Sequence, residues 1–528
     1  MSTNIASMSR VLNVPDSLIT AELEGLYGTN VLQDMKDIIG LYDVYEKGAE
    51  FTAEASTDYT PAKLRYKKAK SLINKEVRFM FSKTPDFFVD TPMTDNKAEN
   101  ERNKNASTIY KELVDVVLAR NGFALSLLKA AKDCFVGKRV ALMFNINEDS
   151  GIQISFLPSL EFVYAGDPND ANKLTKIVAF FNLNTAKAKS EQRIYKKKFW
   201  LQDGFAHYTE AIYDGNGKPI ETKAENVKTR FAFIPAWVIL NDGLTGDLMG
   251  DSEIDDLAAL EAWYSKMSSA DLDAERKGMN PIRYTIDASP ESTKGLSIAA
   301  GAFWDLSSDQ NQAQDKAAQV GVLDTPMTYS SALSITLDRI KNDMHEQVAV
   351  PNVSPEALKG VVSSGKTLRA IYWDLIVRAD EKMLAWRPAL QFLGQCIIEG
   401  VRLYPKVADF YVDKPLPNAP YEIRVDNQYS LPEDEAEEKQ VDLAEVAAQT
   451  RSRKSYMKKW HNLTDDEADE ELRQIALERE LLEDSFAAEP AGGDNPPEDE
   501  EHPAEGDEQP DDANEKDTNK SKEQEVDE

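Results

Sequence analysis

The residues most suggestive of chemistry are Gly360-Val361-Val362-Ser363-Ser364-Gly365-Lys366-Thr367, which match the G-x-x-x-x-G-K-[ST] pattern of a phosphate-cradling loop. In that chemistry backbone N–H groups at a helix N-terminus wrap the phosphates, Lys366 reaches the β- and γ-phosphates, and Thr367 holds Mg²⁺. The pattern needs a buried strand running into its first glycine. The preceding segment, Pro351 to Lys359, carries two prolines and no continuous apolar run. A downstream strand ending in a metal-holding Asp is also required, and Phe410-Tyr411-Val412-Asp413 is short and runs into Pro415 and Pro417. A nucleotide hydrolase using Gly360 to Thr367 is therefore the alternative reading, and a loop opening a helix the preferred one. Ser363-Ser364-Gly365-Lys366 matches the acyl-transfer pattern S-x-x-K, but its S-D-N and K-T-G partners are missing. His207, His345, His461 and His502 have no mutual metal-ligand spacing, and there is no C-x-x-C. Gly250-Asp251-Ser252-Glu253-Ile254 lacks the second glycine of a nucleophile elbow. No enzyme, metal or cofactor is expected.

The chain of 528 residues sets 61 Lys and Arg against 92 Asp and Glu, a net charge of −31. The length suggests roughly two to four domains, and an apolar fraction of 41% is enough to build cores. Such acidity argues against a tight sequence-reading DNA binder, because phosphate neutralisation supplies most of that affinity. Residues 486–528 hold 17 Asp and Glu against 3 Lys, with five prolines, and are expected to form a disordered acidic tail. Cys134 and Cys396 exclude a disulfide framework. The N-terminus lacks a basic segment followed by an apolar one, so no secretory signal is expected. The longest apolar stretch, Phe231 to Leu240, is too short to span a membrane and contains Pro235.

These motifs must be positioned by an α+β, mainly α, framework. Helical patterns are expected over 61–83 and 98–118, the first carrying Lys63, Arg65, Lys67, Lys68, Lys70, Lys75 and Arg78. Strands are expected near 139–144, 152–157, 177–182, 193–201 and 205–213, with Lys196-Lys197-Lys198 read as exposed edge residues. A helix follows Ser252 with Ile254, Leu257, Leu260, Trp263, Tyr264 and Met267 on one face. A second of matched length carries Leu333, Leu337, Ile340, Met344 and Val348. Between them lies an insert with strand-like ends at 282–286 and 320–323. After a Pro-bounded loop comes one long helix with the stripe Leu368, Ile371, Tyr372, Leu375, Ile376, Ala379, Met383 and Trp386, kinked by Pro388. A strand is expected at 421–425. Charged helices then fill 432–484, with a Thr464/Glu467 capping box and with Arg451, Arg453, Lys454, Lys458 and Lys459 pairing with acidic neighbours.

This order of elements resembles the portal proteins of tailed bacteriophages, in the subfamily common among phages of Gram-positive hosts. The residues carrying the likeness are Lys63-Leu64-Arg65-Tyr66-Lys67-Lys68-Ala69 through Thr84-Pro85-Asp86-Phe87, and Gly250-Asp251-Ser252-Glu253-Ile254-Asp255-Asp256-Leu257. Further ones are Asn280-Pro281-Ile282 and Val350-Pro351-Asn352-Val353-Ser354, leading into Ser364-Gly365-Lys366-Thr367-Leu368-Arg369. The resemblance covers about residues 20–480. It implies a wing (1–250 and 366–430), stem helices (251–277 and 327–350), a clip (278–326), a tunnel loop (351–365) and a crown (431–485), followed by the tail 486–528. It further implies a ring, usually a dodecamer, at one capsid vertex of the virion, assembled in the host cytoplasm. Through it double-stranded DNA is packaged and ejected. Its implied partners are the large terminase, head-tail adaptors, scaffolding protein and the major capsid protein, with no membrane. Val353, Leu358, Lys359, Val361 and Val362 are then candidate tunnel-loop contacts to DNA. Arg276, Lys277 and Lys341 are candidates for the stem lumen.

Overall fold

The structure is a computed structural model that describes residues 14–20, 22, 31–53, 59–167, 170–184, 188–244, 247–279, 282–294, 296, 304, 306–308, 317–323, 328–353, 365–412, 415–429, 435–461 and 463–487. The chain divides into two compact units, 1–434 and 435–528. The first begins with α1 (Asp16–Thr20), α2 (Val31–Lys47), α3 (Lys68–Phe81), β1 (Asp86–Asp90), α4 (Lys97–Arg120) and α5 (Phe123–Gly137). Asn96 caps α4, its side chain accepting from the Ala98 N–H at 3.0 Å, and Gly122 at φ +58° makes the sharp link to α5. The helix expected over 61–83 starts only at Lys68. Residues 61–67 are extended, so Lys63, Arg65 and Lys67 do not lie on it.

Eight strands follow before the next helix: β2 (Arg139–Asn147), β3 (Gly151–Pro158), β4 (Phe162–Asp167), β5 (Asp170–Asn182), β6 (Ile194–Gln202), β7 (Phe205–Tyr213), β8 (Pro219–Lys228) and β9 (Ala236–Leu240). They form a three-stranded sheet, β3-β2-β9, and a five-stranded sheet, β4-β5-β6-β7-β8, antiparallel throughout. β2 is the pivot. Val140, Leu142 and Phe144 face the main helical core, whereas Ala141 and Met143 face a smaller core shared with Phe162, Ile177 and Phe199 of the second sheet. Successive strand residues point to opposite faces, so a strand covered on both sides reads as one continuous apolar run.

The expectation for Lys196-Lys197-Lys198 is overturned. β6 is the central strand of its sheet, and Lys196 is buried. The compensation comes from α1 and the residues just after it: Lys196 donates to the Leu18 carbonyl at 3.0 Å, and Glu22 accepts from Lys176 at 2.8 Å, Lys196 at 3.0 Å and Lys198 at 2.9 Å. Burial alone would raise the Glu22 pKa, but the three ammonium groups outweigh it and hold the carboxyl at about 2.

The chain then enters α6 (Glu253–Met279), turns through β10 (Ile282–Ile286) and β11 (Gln319–Leu323), and returns in α7 (Ser330–Gln347). β10 and β11 pair antiparallel, with Ile282 opposite Leu323. At 27 and 18 residues the two helices span about 40 and 27 Å, so they are unequal rather than matched. The long helix expected next is two: α8 (Gly365–Ile371) and α9 (Trp373–Leu403), divided at Tyr372. Pro388 lies inside α9, whose Leu375, Ala379, Met383 and Trp386 are buried as the stripe requires. β12 (Glu422–Asp426) pairs with β1, tying residues 86–90 to 422–426.

The second unit contains α10 (Glu435–Ala447), α11 (Arg453–His461) and α12 (Asp465–Ala487). The capping box is present: the Thr464 N–H donates to Glu467 at 2.8 Å and the Glu467 N–H to the Thr464 hydroxyl at 3.4 Å. Arg451 and Lys459 pair with Asp442, and Lys454 with Asp469, so these three cations pair with the acidic helices on either side as expected. The tail 488–528 lies outside the described residues.

Candidate functional site

The α6–α7 pair and the chain that leaves α7 form the region to which every candidate site residue belongs. Ser252 starts α6 by accepting from the Ile254 N–H at 3.1 Å. Glu253, Asp255 and Asp256 fill the first turn, and Arg276 and Lys277 the last. Both ends thus complement the helix dipole, which gives the two cations a structural role at the C-terminus.

The buried face of α6 is not the apolar stripe the sequence suggests. Ile254 and Leu257 are buried, but Trp263 is 57% exposed. After Leu257 the buried positions are Glu261, Ser265, Ser269 and Asp273, four residues apart. They serve the extended segment 61–67, which runs along the helix in the opposite direction. The Ala62 N–H donates to Asp273 at 2.9 Å, Leu64 N–H to the Ser269 hydroxyl at 2.9 Å, and Tyr66 N–H to Ser265 at 3.2 Å. Alternate residues of an extended chain repeat about every 6.6 Å and every fourth helix residue about every 6.0 Å, so the two ladders stay in step for these three rungs. Glu261 closes the series, accepting from the N–H groups of Ala49 and Ala69 at 2.9 Å each. It supplies the cap that Lys67, at the start of α3, does not. Replacing Ser265 and Ser269 together with alanine orphans two backbone donors. We expect the variant to lose about 2–4 kcal/mol of stability, measured by urea unfolding at fixed subunit concentration.

Arg276 lies 3.4 Å from both the Thr60 carbonyl and Asp273, and Lys277 places its ammonium 4.8 Å from the Tyr59 ring centre. Both cations therefore contact residues 59–60, just before the extended segment 61–67, which lies along α6 as a strap. Lys341 and Val353 lie elsewhere, together, on a cleft of about 280 Å³ also lined by Lys68, Lys75, His345 and Asn352. The Asn352 amide donates to Asn342 at 2.7 Å, pinning the residue before Val353 to α7. Leu358, Lys359, Val361 and Val362 lie outside the described residues, as do Gly360 to Ser364. Gly365 opens α8. Among the described residues every strand pair is antiparallel, which is not the parallel strand–loop–helix context a nucleotide loop requires. Among the described residues no group of three or more His, Cys, Asp or Glu could hold a metal ion, and no helix is long and apolar enough to cross a membrane.

A second cluster, without a local sequence signal, anchors the first turn of α6. Glu253 accepts from Lys382 and Arg378 of α9 and from Asn241 at 3.3 Å. Arg378 also donates to Glu76 of α3 at 3.0 Å. Glu76 and Glu253 are buried, and the Glu76 Oε2 has no hydrogen-bond partner. Burial first and the Glu253 charge second push the Glu76 carboxyl up to about 7, whereas Lys382 and Arg378 hold Glu253 below its usual range against its own burial.

The model of the family described as phage portal protein, SPP1 Gp6-like, matches residues 26–482. The chain belongs to this family of phage portal proteins. No individual curated protein matches it. The match extends from before α2 into α12, so the strap, the α6–α7 pair and the ion cluster all belong to the portal-family body. The polar ladder on α6 was readable in principle from Glu261, Ser265, Ser269 and Asp273 at strict four-residue spacing. What the sequence does not disclose is that their partner is backbone from a segment about 200 residues earlier.

Proposed function

We propose that the chain assembles into a ring, of twelve copies, at a single capsid vertex, and that double-stranded DNA passes through the ring during packaging and ejection. In this reading α6 and α7 are the stem, the β10–β11 segment is the clip on which terminase and later head-tail adaptors dock, and 351–365 is the tunnel loop. Residues 1–250 and 366–430 form the wing, and 431–485 the crown. The ring also nucleates capsid assembly with scaffolding and major capsid proteins, and its part in packaging is structural rather than enzymatic. The observation that carries this is the family match over 26–482.

A net charge of −31 supports the same reading, because a conduit must not trap the polymer it passes. Apolar side chains left outside in one chain, Trp263 on α6 and Trp373 and Val377 on α9, are available for neighbouring copies. Electron microscopy of the purified protein is expected to show rings with a central hole. Strictly monomeric particles under every assembly condition would overturn the proposal.

A further inference from the structure

The cleft between α3 and the C-terminal half of α7 concentrates positive charge in an acidic chain. Lys68, Lys75, Lys341 and His345 line its volume of about 280 Å³. Several surface lysines elsewhere are neutralised, Lys47 by Asp43, Lys70 by Glu46 and Lys111 by Asp115. Lys75 and Lys341 have no ion-pair partner among the described residues. Lys68 stacks its ammonium 4.0 Å from the Tyr264 ring centre, which fixes its position. The carboxylates acting on it are Glu261 and Asp338, and Glu261 is already occupied by the N–H groups of Ala49 and Ala69.

His345 completes the wall. Its Nδ1 lies 2.8 Å from the Val350 carbonyl oxygen. A carbonyl only accepts, so Nδ1 carries the proton and Nε2 of the neutral ring is a free base for a second one. Burial lowers the pKa of the ring; the Val350 hydrogen bond opposes this, and Lys75, Lys341 and Lys68 add to it. Three ammonium groups around one small space repel each other, and keep the imidazole from taking up a charge, until an anion enters.

We propose that this cleft seats a tetrahedral oxyanion of the phosphate class, held by Lys68, Lys75 and Lys341 beside the His345 imidazole. The polar atoms of Ser71 and Asn352 add neutral donors at its edge. An anion there cancels the repulsion that keeps His345 neutral, so binding draws a proton onto Nε2 and is tighter at lower pH. The seat follows from the charge of the cleft itself. Only its filling by the DNA backbone, rather than by a free oxyanion, rests on the channel reading.

The test uses the full chain and two probes whose own charge does not change between about pH 6 and about pH 8: radiolabelled sulfate in equilibrium dialysis, and a short fluorescent DNA duplex in anisotropy. Wild type is expected to bind at least one probe, about threefold or more tighter at the lower pH. Lys75→Gln combined with Lys341→Gln is expected to weaken binding about tenfold or more. His345→Gln is expected to bind without the pH dependence. Sulfate binding lost in the double variant supports a seat for a free oxyanion. Duplex binding alone, lost in the same variant, supports the seat with the DNA backbone as its source. Binding of neither probe by wild type, or binding unchanged in the double variant, overturns the proposal. The sulfate measurement does not depend on ring formation, so its outcome is separable from that of the microscopy.

Discussion

Lys382→Met is expected to lower the unfolding free energy of the subunit by about 3–5 kcal/mol. Lys382 is buried, and its ammonium donates to Glu253 and, at 2.8 Å, to the Asn241 side chain, with Glu76 3.8 Å away. Methionine fills nearly the same volume, so packing changes little. The loss comes from leaving two buried carboxylates with Arg378 as their one remaining cation in the cluster. Taking out a negative charge as well restores the balance: Lys382→Met with Glu253→Gln leaves Arg378 against Glu76. The double variant is therefore expected to be more stable than the sum of the two single losses predicts. Urea unfolding of all four proteins, at fixed subunit concentration, completes the cycle. Strict additivity would show that these charges do not act as one unit. Because the cluster joins α3, the first turn of α6 and α9, its loss should loosen the root of α6 before the sheets, as increased amide exchange around 253–260.

Stability is also expected to fall as pH rises from about 4.5 to about 7, and Glu76→Gln to remove much of that slope. The Glu76 carboxyl goes from an ordinary value of 4.5 in the unfolded chain to about 7 when folded. The native state therefore binds the proton more tightly, and the stability gained from it is fully present below about 4.5. It is lost as pH rises through 7, by up to about 3 kcal/mol. Asp133 acts in the same direction over a lower window, burial raising it from 3.8 to about 6 although the Tyr42 hydroxyl donates to it at 3.0 Å. Glu22 works oppositely: held at about 2, its contribution is present above about 4.5 and lost only in stronger acid. Glutamine cannot ionise, so the variant should follow the wild-type curve near pH 5 and lie above it by pH 8. An unchanged slope in denaturation series from pH 5 to 8 would show that Glu76 takes up no proton on folding.

What could be read in advance follows from how far each determinant reaches along the chain. The stripe from Leu375 to Trp386 repeats at about 3.6 residues and its packing obeyed that repeat, and the strands expected at 193–201 and 205–213 formed within one residue of those bounds. The Thr464/Glu467 box is local and formed as spelled. Prediction failed where a distant partner decided. Lys196 looked like an edge residue because three consecutive lysines normally seek water, yet Glu22, far away in sequence, pairs with Lys196 and Lys198, and Glu210 with Lys197. The α6 stripe ended early because the surface facing its second half is backbone, which needs acceptors rather than methyl groups. Residues 61–67 stayed out of the helix because those acceptors satisfy the extended chain instead.

The sequence by itself determined the fold class, the absence of a disulfide framework, the succession of elements and, through Lys63 to Phe87, Gly250 to Leu257 and Val350 to Arg369, membership of the portal family. These are properties of local pattern and of order along the chain. Only the tertiary structure decided which charges are buried and with whom. Glu76, Glu253, Arg378 and Lys382 meet from segments up to about 300 residues apart, and Lys75 reaches His345 across two helices. Charge costs nothing to place in water and a great deal to place inside, so a charged residue has no fixed meaning until the fold has chosen its neighbours.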